Sequence, residues 1–115
     1  MSKIGQRVPV PTGKDKELLE LAAKATGTKM RYSGGDGFTE EGDVKPWNPL
    51  AHDGDALQLA VKLRMEVRIG RQNHVAIVSW GDGLASVEEV FEQDAYAATR
   101  RAIVRAAAEI GKSMG

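Results

Sequence analysis

The chain of 115 residues contains no cysteine, and its aromatic residues are few: two tryptophans, two tyrosines and two phenylalanines. Without cysteine, disulfides, thiolate nucleophiles and cysteine-ligated zinc or iron–sulfur centres are excluded. Basic and acidic residues balance at 16 each, so the net charge favours neither nucleic acid nor an anionic membrane as a partner. Apolar runs of only a few residues are too short to span a bilayer. We therefore expect no membrane partner, and a reducing cytoplasm suits a chain without cysteine.

The composition is that of a single globular domain. Apolar residues make up 42% and charged residues 28%, which is typical of neither a disordered nor a membrane protein. A chain of this length buries roughly two-thirds of its unfolded surface, which is enough for one core. Valine and proline alternate in Val8–Pro11 and predict an extended lead-in over residues 1–12, because proline restricts its own φ and the preceding residue. Residues 13–115 are expected to form the domain.

The first helix is predicted by apolar residues at helical spacing. It should run from Gly13 to Thr26 and end at Gly27, which suits a left-handed cap. Residues 29–33 are compatible with a short edge strand. The apolar face of the helix comprises Leu18, Leu21, Ala22 and Ala25.

Residues 33–46 are rich in glycine and acidic residues and contain few apolar side chains. This composition predicts a mobile loop rather than a helix or a strand. Long loops are uncommon in small domains and are often functional, but no motif in this one assigns a function.

A second helix should open at the cap residue Asp53 and run over Asp55 to about Met65. Asn48, which precedes Pro49, can cap a helical turn before it. The apolar stripe of this helix is broad, and a broad stripe predicts substantial burial. The stripe comprises Ala56, Leu57, Leu59, Ala60, Val61 and Leu63.

The pattern then changes to the alternation that is typical of strands. Residues 67–70 alternate between apolar and polar side chains, and residues 74–80 form a short apolar run. Gly81–Gly83 is a strong turn signal. Residues 86–92 fit a strand by their alternation and a helix by their capping box. We favour a third strand, because two strands alone are only marginally stable.

The closing helix is the clearest element of the sequence. Asp94 should cap it, Ala95–Ile110 contains no helix breaker, and Gly111 should mark its end. The predicted order is α-β-α-β-β-β-α. We therefore predict an α+β fold in which an antiparallel meander of three to four strands packs between helices, as an α/β/α sandwich of two to three layers.

Five neighbouring side chains form the densest group with reactive chemistry: Trp47, Asn48, His52, Asp53 and Asp55. A histidine with two carboxylates suits a hard divalent cation or acid–base catalysis. The same residues also fit helix caps and a first helical turn, and their spacing matches neither His-Glu-x-x-His nor an EF-hand loop. We therefore assign no catalytic, cofactor-binding or metal-binding residue and keep this group as a candidate surface.

Two clusters of arginines are candidate phosphate contacts. The first includes Arg64 and Arg68, and the second includes Arg101 and Arg105. Together they could bind a nucleic-acid backbone. Few aromatic residues accompany them, whereas single-strand binders use aromatic stacking. Solvated helix faces explain the arginines more simply.

Three segments of the chain resemble one known family. Trp47–Leu50 and Asp53–Leu57 resemble the middle of the phage and prophage α/β/α-sandwich ("ABA sandwich") domain, and Tyr96–Ile103 continuing to Ala108–Ile110 resembles its closing helix. The resemblance extends over about residues 12–110. It implies an antiparallel sheet between helical layers and a gene carried by a phage or prophage, hence the cytoplasm of a bacterial host. It implies no activity and transfers no site residue.

The sequence therefore predicts a non-enzymatic phage or prophage accessory protein that binds a macromolecular partner, with a protein partner favoured. One alternative is a nucleic-acid-binding protein that uses the arginine clusters. The other is a small metal-dependent enzyme centred on His52, Asp53 and Asp55. No cofactor is implied, and the partner's identity and the oligomeric state do not follow from the sequence.

Overall fold

The computed structural model describes residues 13–27, 30–34, 37–40 and 46–114. The predicted lead-in over residues 1–12 lies outside the described residues. The helices are α1 (Gly13–Thr26), α2 (Asp53–Lys62) and α3 (Ala95–Ser113), and the strands are β1 (Met30–Gly34), β2 (Gly37–Glu40), β3 (Pro46–Trp47), β4 (Glu66–Ile69), β5 (Val75–Trp80) and β6 (Ala85–Val90).

The α+β class and the antiparallel meander are confirmed. The chain runs α1-β1-β2-β3-α2-β4-β5-β6-α3, and its described strands form two antiparallel sheets, β1-β2-β3 and β4-β5-β6. The predicted order differs from this only between α1 and α2, where three short strands replace one. Residues 86–92 were ambiguous, and their main part forms β6, so the meander has the third strand that was favoured.

The loop predicted for residues 33–46 is wrong in part. Gly37–Glu40 forms β2, which pairs with β1 along its whole length on one side and with β3 on the other. Backbone pairing within a hairpin supplies hydrogen bonds that do not depend on apolar side chains. Residues 35–36 and 41–45 lie outside the described part of the chain, and the predicted mobility of the segment stays a prediction.

The two faces of the meander differ in their contacts with the core. Val67, Val78 and Val87 lie opposite one another in the register and pack into the core. The next row along the strands contains Arg68 and Glu88, both exposed. Because side chains in neighbouring rows point to opposite faces of a sheet, Arg68 and Glu88 lie on the face turned away from the core. The core cluster joins α1, α2 and α3 to the other face, so the described helices and the meander form two layers, the smaller of the two numbers predicted.

Helix α3 is the centre of the molecule, since it packs against α1, α2 and the meander. Asp94 caps its N-terminus as predicted, accepting a hydrogen bond from the backbone N–H of Ala97 at 2.9 Å. Small side chains let three elements approach it closely. Its fully buried positions include Ala102, Val104, Ala106 and Ala107.

The end of α3 differs from the prediction. Gly111 is a buried residue inside the helix, which continues to Ser113. A Cβ at this position would overlap the backbone carbonyl oxygen of Leu21 in α1. Glycine is therefore needed at Gly111 for the close approach of two helices rather than for a C-cap.

Helix α1 has the predicted bounds and ends at Gly27 with a φ of +76°. Its buried face is rotated from the predicted one, because Leu19 rather than Leu18 or Leu21 is fully buried. Ala22 is buried with it, as predicted. Of the helices in the described residues, none is long and apolar enough to cross a membrane.

Candidate functional site

The predicted group around Trp47 forms the turn that leads into α2. Asn48 is buried, and its backbone N–H donates to Oδ2 of Asp55 at 2.9 Å. Its side-chain Oδ1 accepts from the backbone N–H of Leu50 at 3.1 Å, so Asn48 caps this turn as predicted. Trp47 packs at the margin of the core. The side chains of Asn48 and Asp55 therefore hold the backbone of this turn.

The N-cap of α2 was predicted wrongly. His52 occupies the cap position in an extended conformation and makes no side-chain cap hydrogen bond, whereas Asp53 is the first helical residue. Asp53 instead accepts a hydrogen bond at 2.7 Å from Arg100 of α3, whose Nε also donates to the carbonyl oxygen of Leu50 at 2.8 Å. Arg100 thus ties the turn and the start of α2 to α3. Among the described residues, no group of three or more metal-ligating side chains is arranged for an ion.

Arg101 and Arg105 of the second predicted cluster are engaged in ion pairs on the helical side of the meander. Arg105 donates to Glu89 at 2.6 Å and to the carbonyl oxygen of Glu88 at 2.9 Å. Arg101 donates to Asp15 of α1 at 3.2 Å. These arginines connect α3 to β6 and α1, and such contacts occupy part of the donors that a phosphate would need.

The first predicted arginine cluster, Arg64 and Arg68, is not near Arg101 and Arg105. Arg68 is exposed on the face of the meander turned away from the core, and Arg64 is exposed in the turn after α2 with a φ of +57°. Arg68 and the pair Arg101 and Arg105 are therefore on opposite sides of the sheet. The structure does not bring the two clusters together into one phosphate-binding surface.

Sequence reasoning missed an apolar groove that lies between α2, α3 and β4. Its volume is about 550 Å³, which lies within the usual range for binding pockets. Small side chains on the two helices leave the space, and the Asp53–Arg100 ion pair lies at its margin. The lining residues are Asp53, Ala56, Leu57, Ala60, Val67, Ile69, Ala95, Tyr96, Thr99, Arg100 and Ile103.

Three large apolar side chains of the lining are also exposed to solvent. Leu57 is 64% exposed, Tyr96 73% and Ile69 52%. They come from α2, α3 and β4 respectively, so every wall of the groove contributes one. Val61, one helical turn after Leu57, is 65% exposed and extends the apolar rim along α2. An apolar groove with an exposed apolar rim is typical of an interaction surface.

One sequence signal pointed to this surface. The broad stripe of α2 predicted burial of Leu57 and Val61 together with Ala56, Leu59 and Ala60. The structure buries the last three and leaves the first two exposed. The prediction of burial is therefore wrong for one side of α2 within the single chain.

Thr99 lines the groove and has an unusual hydroxyl. Its Oγ1 is shielded from solvent and has no hydrogen-bond partner among the described residues. Threonine in a helix can donate to the carbonyl oxygen one turn earlier, and the Thr99 hydroxyl does not use that option. A buried hydroxyl without a partner costs free energy of folding.

We expect Thr99→Val to leave the free energy of unfolding unchanged or to raise it by up to about 1 kcal/mol, because valine keeps the shape and removes the unsatisfied hydroxyl. Urea unfolding of the two proteins measures the difference. Thr99→Ala serves as the control, since it also removes a methyl group and should cost about 1 kcal/mol. A loss above about 1 kcal/mol in Thr99→Val would show that the hydroxyl has a stabilising partner.

The lining therefore offers apolar contact more than acid–base chemistry, because its one carboxylate is already paired with a guanidinium. Of the charged groups that the sequence singled out, Asp53, Arg101 and Arg105 tie elements of the fold together. In comparisons with family models, with curated proteins and with solved structures, nothing matches this chain.

Proposed function

We propose that this chain is a non-enzymatic binding protein of a phage or prophage and that it acts through a macromolecular partner, which docks on the groove between α2, α3 and β4. The observation that carries the proposal is the exposed apolar rim of Leu57, Ile69 and Tyr96 around an apolar groove. Aromatic and aliphatic side chains around a concave apolar site are the usual anchors of protein interfaces.

The shape of the site favours a macromolecule over a small ligand. A small molecule is normally enclosed, with most of its surface buried by the pocket. Here the apolar surface continues outside the groove onto Val61, one helical turn beyond Leu57. A partner that covers the rim as well as the groove removes more apolar area from water, and that burial drives association.

The two alternative functions receive less support from the geometry. Arg101 and Arg105 are paired with carboxylates, and they lie on the other side of the meander from Arg68. Asp53 and Asp55 are bonded to Arg100 and to a backbone N–H. Four of the residues of the two predicted sites, Asp53, Asp55, Arg101 and Arg105, thus make contacts that hold the fold together.

The resemblance of residues 12–110 to the phage α/β/α-sandwich family supports the phage or prophage part of the proposal. The same resemblance supports the cytoplasm of a bacterial host as the place of action.

A capture experiment with three baits tests the proposed function. The tagged chain, its Leu57→Glu variant and its Leu84→Glu variant are exposed to a bacterial lysate that also contains an untagged copy of the chain. Leu84 is 91% exposed in the turn before β6 and does not line the groove, so Leu84→Glu is a matched control. We expect the unmodified chain and the control to retain a protein that Leu57→Glu loses, because a charge on the rim opposes apolar docking.

The retained proteins are identified by mass spectrometry, and both a bacterial protein and the untagged copy count as partners. Equal recovery by all three baits, or no reproducible recovery by any, contradicts a partner-binding role for the groove. Thermal unfolding of each bait confirms that the substitutions leave the fold intact, as expected for exposed positions.

A further inference from the structure

We propose that the macromolecule on the groove is a second copy of this chain, so that two copies join through their α2 helices about a twofold axis. This inference rests on the proposed function, because it names the partner of the same surface. In such a dimer the exposed ridge of α2 in each copy enters the groove of the other copy.

The ridge consists of Leu57 and Val61, which are four residues apart and therefore lie above one another on the surface of α2. Both are about two-thirds exposed, at 64% and 65%. Rows of side chains spaced four residues apart are the ridges that pack into grooves of another helical surface. The chain thus offers an apolar ridge of the kind that a second helical surface accommodates.

The groove lies directly beside this ridge. The walls of the groove include three small side chains, so a larger side chain has room between the helices. These are Ala56 and Ala60 of α2 and Ala95 of α3. Leu57 belongs to both features, since it lines the groove and stands out from it. Ridge and groove therefore share one surface patch.

A patch that contains both a ridge and an adjacent groove fits a second copy in particular. A twofold interface uses the same patch on both molecules, so the patch must be complementary to itself. A different protein would need only one of the two features. The chain also has a formal net charge of zero at pH 7, so two copies do not repel each other at long range.

The stripe of α2 leads to the same conclusion. One side of the stripe, Ala56, Leu59 and Ala60, is buried within the chain. The other side has the apolar residues of a buried surface and remains exposed in the single copy. A twofold contact through α2 buries this second side, and α2 then has the two covered faces that its sequence pattern predicts.

Analytical ultracentrifugation of the purified chain tests the inference between about 1 and 100 µM, where interfaces of modest size assemble and dissociate. We expect the unmodified chain and Leu84→Glu to form dimers with similar Kd. Leu57→Glu should weaken the dimer at least about tenfold, because its charge would be buried in the interface. Tyr96→Glu, on the opposite rim and on α3, should weaken it as well.

Each outcome decides the question. Monomers at every concentration overturn the second copy as the partner, and so do dimers that Leu57→Glu and Tyr96→Glu leave unchanged. If the unmodified chain is monomeric and the Leu57-dependent capture recovers a bacterial protein, the proposed function stands and only this inference fails. A circular dichroism spectrum that matches that of the unmodified chain excludes unfolding as the cause of weaker dimerisation. Because Leu57 lies on α2 and Tyr96 on α3, a local distortion of α2 does not explain an effect of both variants.

Discussion

Gly111→Ala is expected to lower the free energy of unfolding by about 1–3 kcal/mol, the usual cost of forcing an extra methyl group into a packed interior. The added Cβ would overlap the carbonyl oxygen of Leu21, which belongs to the backbone of α1 and cannot move by a side-chain rotation. The helices α1 and α3 must therefore separate. Their contact also holds Arg101 against Asp15, so the separation strains that ion pair.

Gly54→Ala provides the matched control. Gly54 is also a helical glycine, but nothing lies within 4 Å of a Cβ built there. Alanine should stabilise α2 by up to about 1 kcal/mol, because it is the better helix former. Urea unfolding of both variants measures the two changes in the free energy of unfolding, which should be a loss for Gly111→Ala and a gain for Gly54→Ala. If the two substitutions shift the transition in the same direction by similar amounts, the close approach of α1 and α3 at Gly111 is refuted.

Gly111 also illustrates a limit of sequence patterns. A glycine after the last apolar residue of a periodic segment predicts a C-cap, and Gly27 fulfils that prediction with its positive φ. At Gly111 the same pattern gave the wrong answer, because the helix continues to Ser113. The reason for glycine there is a neighbour 90 positions earlier in the chain, which no local pattern contains.

The meander and the closing helix were predictable because their signals are local. The alternation in β4 and β6, the apolar run of β5, the turn at Gly81–Gly83 and the cap at Asp94 are each signals that extend over a few residues. The strand β2 was not predictable in this way. Gly37–Glu40 contains one apolar residue, Phe38, and its pairing with β1 and β3 depends on backbone contacts between separate segments.

The candidate site shows the same division between local and assembled features. Asn48 was recognised as a turn cap because that role involves its neighbour Leu50. The groove was missed because it requires α2, α3 and β4 together, and its walls owe their shape to small residues that carry no chemical signature. Two of the predicted phosphate contacts, Arg101 and Arg105, are paired with Asp15 and Glu89 in distant elements.

Leu19→Ala should have a larger effect than any exposed substitution, with a loss of about 2–5 kcal/mol in the free energy of unfolding. Leu19 is fully buried and is among the largest side chains of the core, where it is clustered with residues of α2, α3 and the meander. Truncation to alanine leaves a cavity, because the surrounding small residues of α3 cannot collapse far enough to fill it. Helix α1 then loses its principal apolar anchor.

Leu18→Ala is the informative control, because sequence and structure disagree on these two adjacent leucines. The periodicity placed Leu18 on the apolar face of α1, whereas the structure leaves it partly buried at the margin of the core. Leu18→Ala should therefore cost at least about 1 kcal/mol less than Leu19→Ala, in proportion to the smaller apolar area that it buries. Urea unfolding at matched conditions measures both. If Leu18→Ala is the more damaging variant, α1 is rotated about its axis by about one residue. The contact between Gly111 and Leu21 would then be absent as well, because it depends on the same rotation of α1.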